Sequence, residues 1–155
     1  MTVLHETIET PLAIGPAFDY VADFANAQEW DPGVITAERL TVGAIAEGAE
    51  FRLVARFLGS TSVLTYRIVE YDPPHAVTFH GENDAVVSHD RITVVPESGG
   101  TTIDYDAQLE LKGYRKLMEP LVSVAFRRVG ARALGGLRQV LTERALDGAT
   151  QPTGR

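Results

Sequence analysis

Residues 50–112 alternate between apolar and polar side chains over most of their length, and few architectures accommodate so long an alternation. Successive side chains of a β-strand point to opposite faces of a sheet, so the pattern predicts a run of strands with one buried face. Turn signals divide the run, and the strongest is PESGG at residues 96–100, which is typical of a β-hairpin. With the flanking chain included, we predict seven strands, at residues 3–9, 34–42, 50–58, 62–72, 75–82, 85–95 and 101–112.

A helical pattern replaces the alternation after Gly113 and continues from residue 114 to about residue 146. Its apolar residues lie on more than one side, which is typical of a helix gripped by a sheet. Gly135 and Gly136 interrupt it, and they predict either close packing or space left for a ligand. Two short helices are predicted after the first strand, one beginning near Pro16 and one at residues 26–30.

The order of these elements predicts a single α+β domain, in which a curved antiparallel sheet of about seven strands wraps around one long C-terminal helix. A length of 155 residues is usual for one domain, and no linker or repeat divides the chain. We expect the domain to span residues 1–147, and residues 148–155 (GATQPTGR) to form a disordered tail.

The predicted turns set the register of neighbouring strands, because residues that face each other across a hairpin have numbers with a constant sum. A register that slips by one residue would turn every side chain of a strand to the other face, so agreement between hairpins is informative. The four hairpins agree, and they place these pairs opposite each other: Phe51 and Ile68, Ile68 and Phe79, Phe79 and Ser88, Ile92 and Tyr105.

The registers divide the sheet into an inner and an outer face. On the outer face, Arg91 lies opposite Asp106, and we predict an ion pair between them. The apolar side chains of the inner face are predicted to be Phe51, Leu53, Ala55, Leu64, Ile68, Val77, Phe79, Ile92, Val94, Ile103, Ala107 and Leu109. Five polar groups lie among them, and these are Tyr66, Glu70, Ser88, Asp90 and Tyr105.

Asp90 is the most informative of the five, because it lies in the middle of a strand and cannot easily reach solvent. A buried carboxylate needs a hydrogen-bonding partner or a shifted pKa. The structural interpretation is a hydrogen bond to Tyr105, to Tyr66 or to an arginine of the long helix. The functional interpretation is a group that acts on a ligand.

The charge of the chain is uneven. The net charge of −7 argues against general nucleic-acid binding. Seven Arg and Lys residues against three acidic residues give residues 113–147 a charge of +4. Two interpretations are open: a basic helix that packs on an acidic sheet, and a site for an anionic ligand or membrane headgroup near that helix.

Other sequence features bear on cysteine chemistry, cellular location and oligomeric state. There is no cysteine, which excludes disulfides and thiolate chemistry. No apolar run is long enough to span a bilayer, and the N-terminus does not resemble a signal peptide, so we expect a cytoplasmic protein. A homodimer is compatible with the sequence, which leaves the oligomeric state open.

The order of elements resembles a known superfamily. One strand, two short helices, six strands and a long helix are similar to the helix-grip fold of the START-like (SRPBCC) superfamily. The segments AFDYVADFANAQEWDPGV, YRIVEYDPP, HDRITVVPESGGTTIDYDAQLELKG and ALGGLRQVL resemble its polyketide cyclase/dehydrase and lipid-transport branch. The resemblance implies a cavity between the sheet and the long helix, with Trp30 near its mouth, and it carries no shared catalytic motif onto numbered positions.

The sequence carries few motifs that indicate a particular chemistry. The sequence has no GxGxxG, P-loop, HExxH or GxSxG motif. His75 and His80 have opposite parity on one strand and point apart, so we predict no metal site. No histidine maps to the inner face of the sheet, apart from His5, whose face the registers do not determine; this argues against a Ser-His-Asp triad, and we predict no cofactor.

Three hypotheses for function follow. The first is the binding of an apolar small molecule, such as a lipid, polyketide or similar metabolite, in the cavity. The second is a polyketide cyclase or dehydratase, in which Asp90 abstracts a proton and Tyr66 or Tyr105 polarises a carbonyl. The third is a protein-interaction module. The predicted ligand-binding residues are Trp30, Phe51, Leu53, Tyr66, Ile68, Phe79, Ser88, Asp90, Ile92, Tyr105, Leu109, Leu121 and Ala125.

Overall fold

Seven antiparallel strands form one curved sheet, as the alternation predicts. The computed structural model describes the backbone of residues 1–150 and the side chains of residues 1–147. The strands are β1 (Thr2–Thr10), β2 (Val34–Arg39), β3 (Glu50–Phe57), β4 (Ser60–Asp72), β5 (Ala76–Glu82), β6 (Val86–Glu97) and β7 (Gly100–Leu111). Their order in the sheet is β1-β7-β6-β5-β4-β3-β2, so the first strand pairs with the last and the others follow the chain.

Short helices follow β1 and a long helix follows β7. They are α1 (Ile14–Ala22), a 3-10 turn (Phe24–Asn26), α2 (Ala27–Trp30), a 3-10 segment (Gly113–Met118) and α3 (Glu119–Thr150). The predicted α+β helix-grip architecture is therefore confirmed. No helix among residues 1–150 is both long enough and apolar enough to cross a membrane.

The long helix differs from its prediction at both ends. It begins at Glu119, because Gly113, with a φ of 59°, first turns the chain into a six-residue 3-10 segment. Pro120 then occupies the first turn of α3, where its missing N–H has no partner to lose. The helix continues to Thr150, beyond its predicted end, and residues 151–155 of the predicted tail lie outside the described residues.

The registers were predicted correctly for two hairpins and displaced by two residues in the other two. Ile92 lies opposite Tyr105, as expected, and Ile68 lies opposite Phe79. Tyr66, and not Ile68, lies opposite Phe51, because the turn consists of Leu58 and Gly59, which both have positive φ. A displacement of two leaves each side chain on its predicted face. The same holds at the β5–β6 hairpin, where the partners are Phe79 and Asp90.

One irregularity changes a face assignment. The register of β4 shifts between Ile68 and Glu70, which is the signature of a β-bulge. Glu70 therefore leaves the inner face and accepts a hydrogen bond from Arg91 over 3.2 Å on the outer one. The predicted ion pair between Arg91 and Asp106 is wrong, although these residues lie opposite each other, because Asp106 bonds to His5 of β1.

The concave face of the sheet is filled at one end by Phe24 from the first 3-10 turn. Its ring stacks on Phe79 with centroids 4.2 Å apart, and its ring contacts Tyr66 edge-on at 4.9 Å and Phe51 at 6.4 Å. The Phe24 side chain thereby completes an aromatic core at that end of the sheet. Helix α3 covers the rest of the concave face.

Helix α3 approaches α2 at a glycine. A Cβ atom at Gly136 would lie 2.1 Å from the carbonyl oxygen of Trp30, so only glycine allows this approach. At Gly135 nothing lies within 4 Å of such an atom. Of the two interpretations of this glycine pair, close packing is therefore confirmed for Gly136.

Candidate functional site

A cavity with two adjacent chambers lies between the sheet and α3. The inner chamber has a volume of about 130 Å³, and the outer chamber has a volume of about 510 Å³. Both are walled by Tyr66 and Ser88 of the sheet and by Phe126 and Val129 of α3, so the two chambers are adjacent. The outer chamber alone falls within the range of small-molecule sites, which is roughly 300–1,000 Å³.

The inner chamber contains a buried carboxylate that is held by two hydroxyl groups. Ser88 Oγ donates a hydrogen bond to Asp90 Oδ1 over 3.2 Å, and the Tyr105 hydroxyl donates one to Asp90 Oδ2 over 3.0 Å. Burial raises the pKa of Asp90 to about 6, and the two hydrogen bonds offset part of that effect because they favour the charged form. At neutral pH Asp90 is therefore a carboxylate that can take up a proton.

The two tyrosines of the chamber keep their protons. Burial raises the pKa of Tyr66 and of Tyr105, and the negative charge of Asp90 raises both further. Each is a neutral hydroxyl across the physiological range, so each can donate a hydrogen bond to a carbonyl or carboxylate. The cluster thus combines one group that accepts protons with two that donate hydrogen bonds.

The β-ladder explains how these side chains meet. Ser88 and Asp90 are two residues apart on β6 and share the inner face, while Asp90 lies opposite Ala107 on β7. The small side chain of Ala107 leaves room for Tyr105, its neighbour along β7, to reach Asp90 diagonally.

Gly81 makes room for Tyr66 on the same face. It lies opposite Tyr66 on one side and Ser88 on the other, and a Cβ atom on it would come within 2.5 Å of the Tyr66 ring. The sequence interpretation missed this role. A glycine inside an otherwise alternating strand is the signal that could have revealed a close approach.

Asp31 is a second carboxylate of the cavity that the sequence interpretation missed. It ends α2, lines both chambers, and accepts a hydrogen bond from the Gly33 N–H over 2.8 Å. Burial raises its pKa, which the bond from Gly33 only partly offsets. Among the residues that the structure describes, Asp31 has no ion-pair partner. The sequence Asp-Pro-Gly at residues 31–33 is typical of a turn, and it gives no sign that the Asp31 side chain points inward.

Comparison with known proteins assigns the chain to a family. A family model for polyketide cyclase/dehydrase and lipid transport matches residues 1–142. The chain belongs to this family. An uncharacterized protein of Mycobacterium tuberculosis is 28% identical over 140 residues, which is 90% of this chain and 96% of that protein.

Solved structures of this polyketide cyclase/dehydrase and lipid transport family's fold agree with the assignment. The ZhuI aromatase/cyclase of Streptomyces sp. R1128 has a TM-score of 0.76 and 13% identity, and the alignment covers 99% of this chain and 98% of that one. A START superfamily protein of Mycobacterium smegmatis has a TM-score of 0.71 and 16% identity over 95% and 99% of the two chains. The START-like resemblance is thus confirmed, and family and fold support a ligand-binding or polyketide cyclase role.

The structure brings together seven of the predicted ligand-binding residues of this family member. The inner chamber is lined by Trp30, Leu53, Tyr66, Ser88, Asp90 and Tyr105, and the outer chamber by Leu109. The three residues predicted to be catalytic, Asp90, Tyr66 and Tyr105, are all in the inner chamber. Strand parity accounts for the face that they share.

Four predicted wall residues lie outside both chambers. All four are buried, and two of them, Phe51 and Phe79, belong to the end of the sheet where Phe24 packs. Parity identifies the face of a side chain and does not tell which part of that face another element covers. The four are Phe51, Ile68, Phe79 and Ile92.

Two predicted residues of α3 lie outside both chambers. Leu121 and Ala125 line a shallow surface groove, whereas Val122, Phe126 and Val129 line the outer chamber. The residues of α3 that line the chamber follow the predicted ones by one position in the chain. A broadly apolar helix does not reveal from its sequence which of its sides faces the sheet.

Charge is distributed unequally between the chambers. The inner chamber is lined by two carboxylates, Asp31 and Asp90, and by no Arg, Lys or His among its described lining residues. The outer chamber includes Arg56 and Arg115. Within residues 1–147 no three His, Asp or Glu side chains are grouped closely enough to hold a metal ion.

Proposed function

We propose that this protein binds an apolar small molecule in the two chambers, with a hydrogen-bond donor of the ligand next to Asp90. The observation that supports this most is an apolar cavity that leads to a buried, hydrogen-bonded carboxylate. Apolar walls supply affinity in such sites, and a few polar groups set the orientation of the ligand. The presence of the cavity also removes the ground for preferring a protein-interaction module.

The charges of the inner chamber favour one class of ligand headgroup. Asp31 and Asp90 are both acidic, and no cation of the described lining residues faces them there. A ligand carboxylate would be buried beside like charges, which is unfavourable. An alcohol, phenol or amine would instead donate a hydrogen bond to a carboxylate, and such charge-assisted bonds are the stronger kind.

Displacement of Nile red, a neutral fluorescent probe of apolar sites, tests this proposal. Three competitors with the same alkyl chain would be compared: the alcohol, the amine and the carboxylate. We expect the alcohol and the amine to bind at least about tenfold more tightly than the carboxylate, since a charged-group hydrogen bond contributes about 1.5–3 kcal/mol. Asp90→Asn should reduce that preference, and Glu110→Gln, an exposed change on β7, should not.

Two failures of this experiment have different meanings. If none of the competitors displaces the probe, the proposed binding function is wrong. If the carboxylate competes as well as the alcohol, binding stands and the donor preference is wrong.

A second candidate function is ring closure of a keto chain, which the ionisation of the Asp90 cluster favours. Asp90 would take a proton from the carbon beside a carbonyl, while Tyr66 or Tyr105 donates a hydrogen bond to the carbonyl oxygen. The resulting enolate carbon would attack a second carbonyl of the same chain and form a carbon–carbon bond. The new alkoxide would then take up the proton from Asp90, and loss of that hydroxyl with a neighbouring hydrogen would release water.

Proton abstraction can be tested without the natural substrate. A long-chain methyl ketone in deuterated water would exchange the hydrogens next to its carbonyl, and NMR would follow the rate. We expect Asp90→Asn to slow protein-catalysed exchange by at least about a hundredfold, the contribution of a general base. Displacement of Nile red by the ketone should be retained. Exchange at the wild-type rate in Asp90→Asn would contradict the enzymatic role and leave the binding function standing.

A further inference from the structure

Six large apolar side chains are exposed together beside the mouth of the cavity. Leu117 is 87% exposed and Tyr114 is 76% exposed, and the other four are more than half exposed. Single exposed apolar residues are ordinary, but a contiguous group marks an interaction surface. We call this group the mouth patch, and it consists of Leu58, Tyr114, Leu117, Met118, Leu121 and Val124.

The mouth patch is continuous with the outer chamber. Leu58, Tyr114 and Met118 line that chamber as well as the surface. Leu58 also lines a shallow groove of about 390 Å³ with Leu121 and Val124. Anything that covers the patch therefore also covers the route by which a ligand reaches the cavity.

Unpaired cations lie close to the patch in the chain, and Arg115, Arg128 and Arg132 line its chamber or its groove. Within residues 1–147, none of these cations forms an ion pair with an acidic group, although Arg115 lies over the Tyr114 ring at 4.9 Å. The net charge of the whole chain is −7, so the clustering of positive charge here is local. The five cations are Arg115, Lys116, Arg127, Arg128 and Arg132.

We propose that the mouth patch docks on the surface of an anionic lipid bilayer, with Tyr114, Leu117 and Leu121 inserted at the interface. Apolar side chains that protrude from a helix and are rimmed by cations are typical of segments that lie in a membrane interface. Each cation near such a surface adds to the attraction. A symmetric dimer through this face would instead bring the two sets of cations together, which disfavours a second copy as the partner.

Vesicle co-sedimentation tests the docking directly, with no ligand added for the cavity. Vesicles of phosphatidylcholine alone would be compared with vesicles that also contain phosphatidylglycerol. We expect binding to the anionic vesicles that weakens as salt is raised, because salt screens exposed charges. Binding to the neutral vesicles should be much weaker.

Matched variants distinguish membrane binding through the mouth patch from nonspecific binding to vesicles. Leu117→Ser should weaken binding by roughly tenfold or more, from the loss of one inserted leucine. Val42→Ser changes a side chain that is 98% exposed but is not part of the patch, and it should have no effect. Arg128→Gln should weaken binding about fivefold, as expected for one cation at an anionic surface. Arg67→Gln on the outer face of the sheet serves as its control.

Several outcomes would overturn the proposal. Wild-type protein that binds neither kind of vesicle would do so, as would Leu117→Ser binding as tightly as the wild type. Sedimentation velocity provides a third: a dimer that Leu117→Ser dissociates would show that the patch is an interface between two copies. Because no cavity ligand is involved, each result is independent of the proposed binding function.

Discussion

The Tyr105 hydroxyl donates a hydrogen bond to Asp90 Oδ2 over 3.0 Å, across the neighbouring strands β7 and β6. It is one of two bonds that moderate the effect of burial on this carboxyl group. The geometry depends on Ala107, which lies opposite Asp90 and leaves the diagonal open. Substitutions at Tyr105 or Ala107 should therefore change the pKa of Asp90.

Replacing Tyr105 with Phe should raise the pKa of Asp90 above its value of about 6, by about one pH unit. The reason is that the lost hydrogen bond favoured the charged form. Titration of the Asp90 carboxyl carbon by NMR measures the change. Tyr114→Phe removes the hydroxyl of an exposed tyrosine and should leave the Asp90 pKa unaltered. An unchanged pKa in Tyr105→Phe would show that burial alone sets it.

Asp90 should make stability fall as pH rises from about 4 to about 6, because its pKa increases from 3.8 to about 6 on folding. The folded state binds the proton more tightly than the unfolded state, so low pH favours folding through this group. Urea unfolding of wild type and Asp90→Asn at several pH values measures this contribution. The stability of Asp90→Asn relative to wild type should grow by on the order of 3 kcal/mol over that range. A difference that does not vary with pH would contradict the raised pKa.

The adjacent glycines of α3 should respond oppositely to substitution by alanine. Gly136→Ala should lower the free energy of unfolding by about 1–3 kcal/mol, because the new methyl group meets the carbonyl oxygen of Trp30. Gly135→Ala adds a methyl group to open space in a helix and should raise it by about 0.5–1 kcal/mol. Chemical denaturation of the two variants provides the comparison. Equal effects would mean that α3 does not approach α2 as closely as described.

Gly81→Ala should displace the Tyr66 ring and reduce ligand binding. The added Cβ atom would lie 2.5 Å from a ring carbon, so the ring must move within the chamber. A stability loss of about 1–3 kcal/mol is expected from such overpacking. Nile red affinity and the NMR signals of the Tyr66 ring would report the change. Gly15→Ala, where nothing lies within 4 Å, is the control. Unaltered ring signals would contradict the contact.

The faces of the strands could be predicted from the sequence because they depend only on alternation and turn positions. Phe51, Tyr66 and Asp90 were placed on the correct face even though two registers were displaced by two residues. Glu70 was misplaced because a β-bulge leaves no mark in a pattern of apolar and polar residues.

The extent of the cavity could not be predicted in the same way. It depends on where side chains from outside the sheet come to rest, and Phe24 closes one part of the face while Asp31 points into another. Both residues follow short helices whose direction is set by tertiary packing. Local propensity and turn chemistry carry no information about that direction.

The stacking of Phe24 on Phe79 has an evolutionary consequence. The Phe24 side chain marks the boundary between the solid end of the concave face and the cavity. The 3-10 turn that carries it is not one of the strands of the sheet. A smaller residue in place of Phe24 would lengthen the cavity without altering any strand. During evolution, substitutions at this one position can therefore change the size of the ligand that the cavity holds, while the sheet itself stays the same.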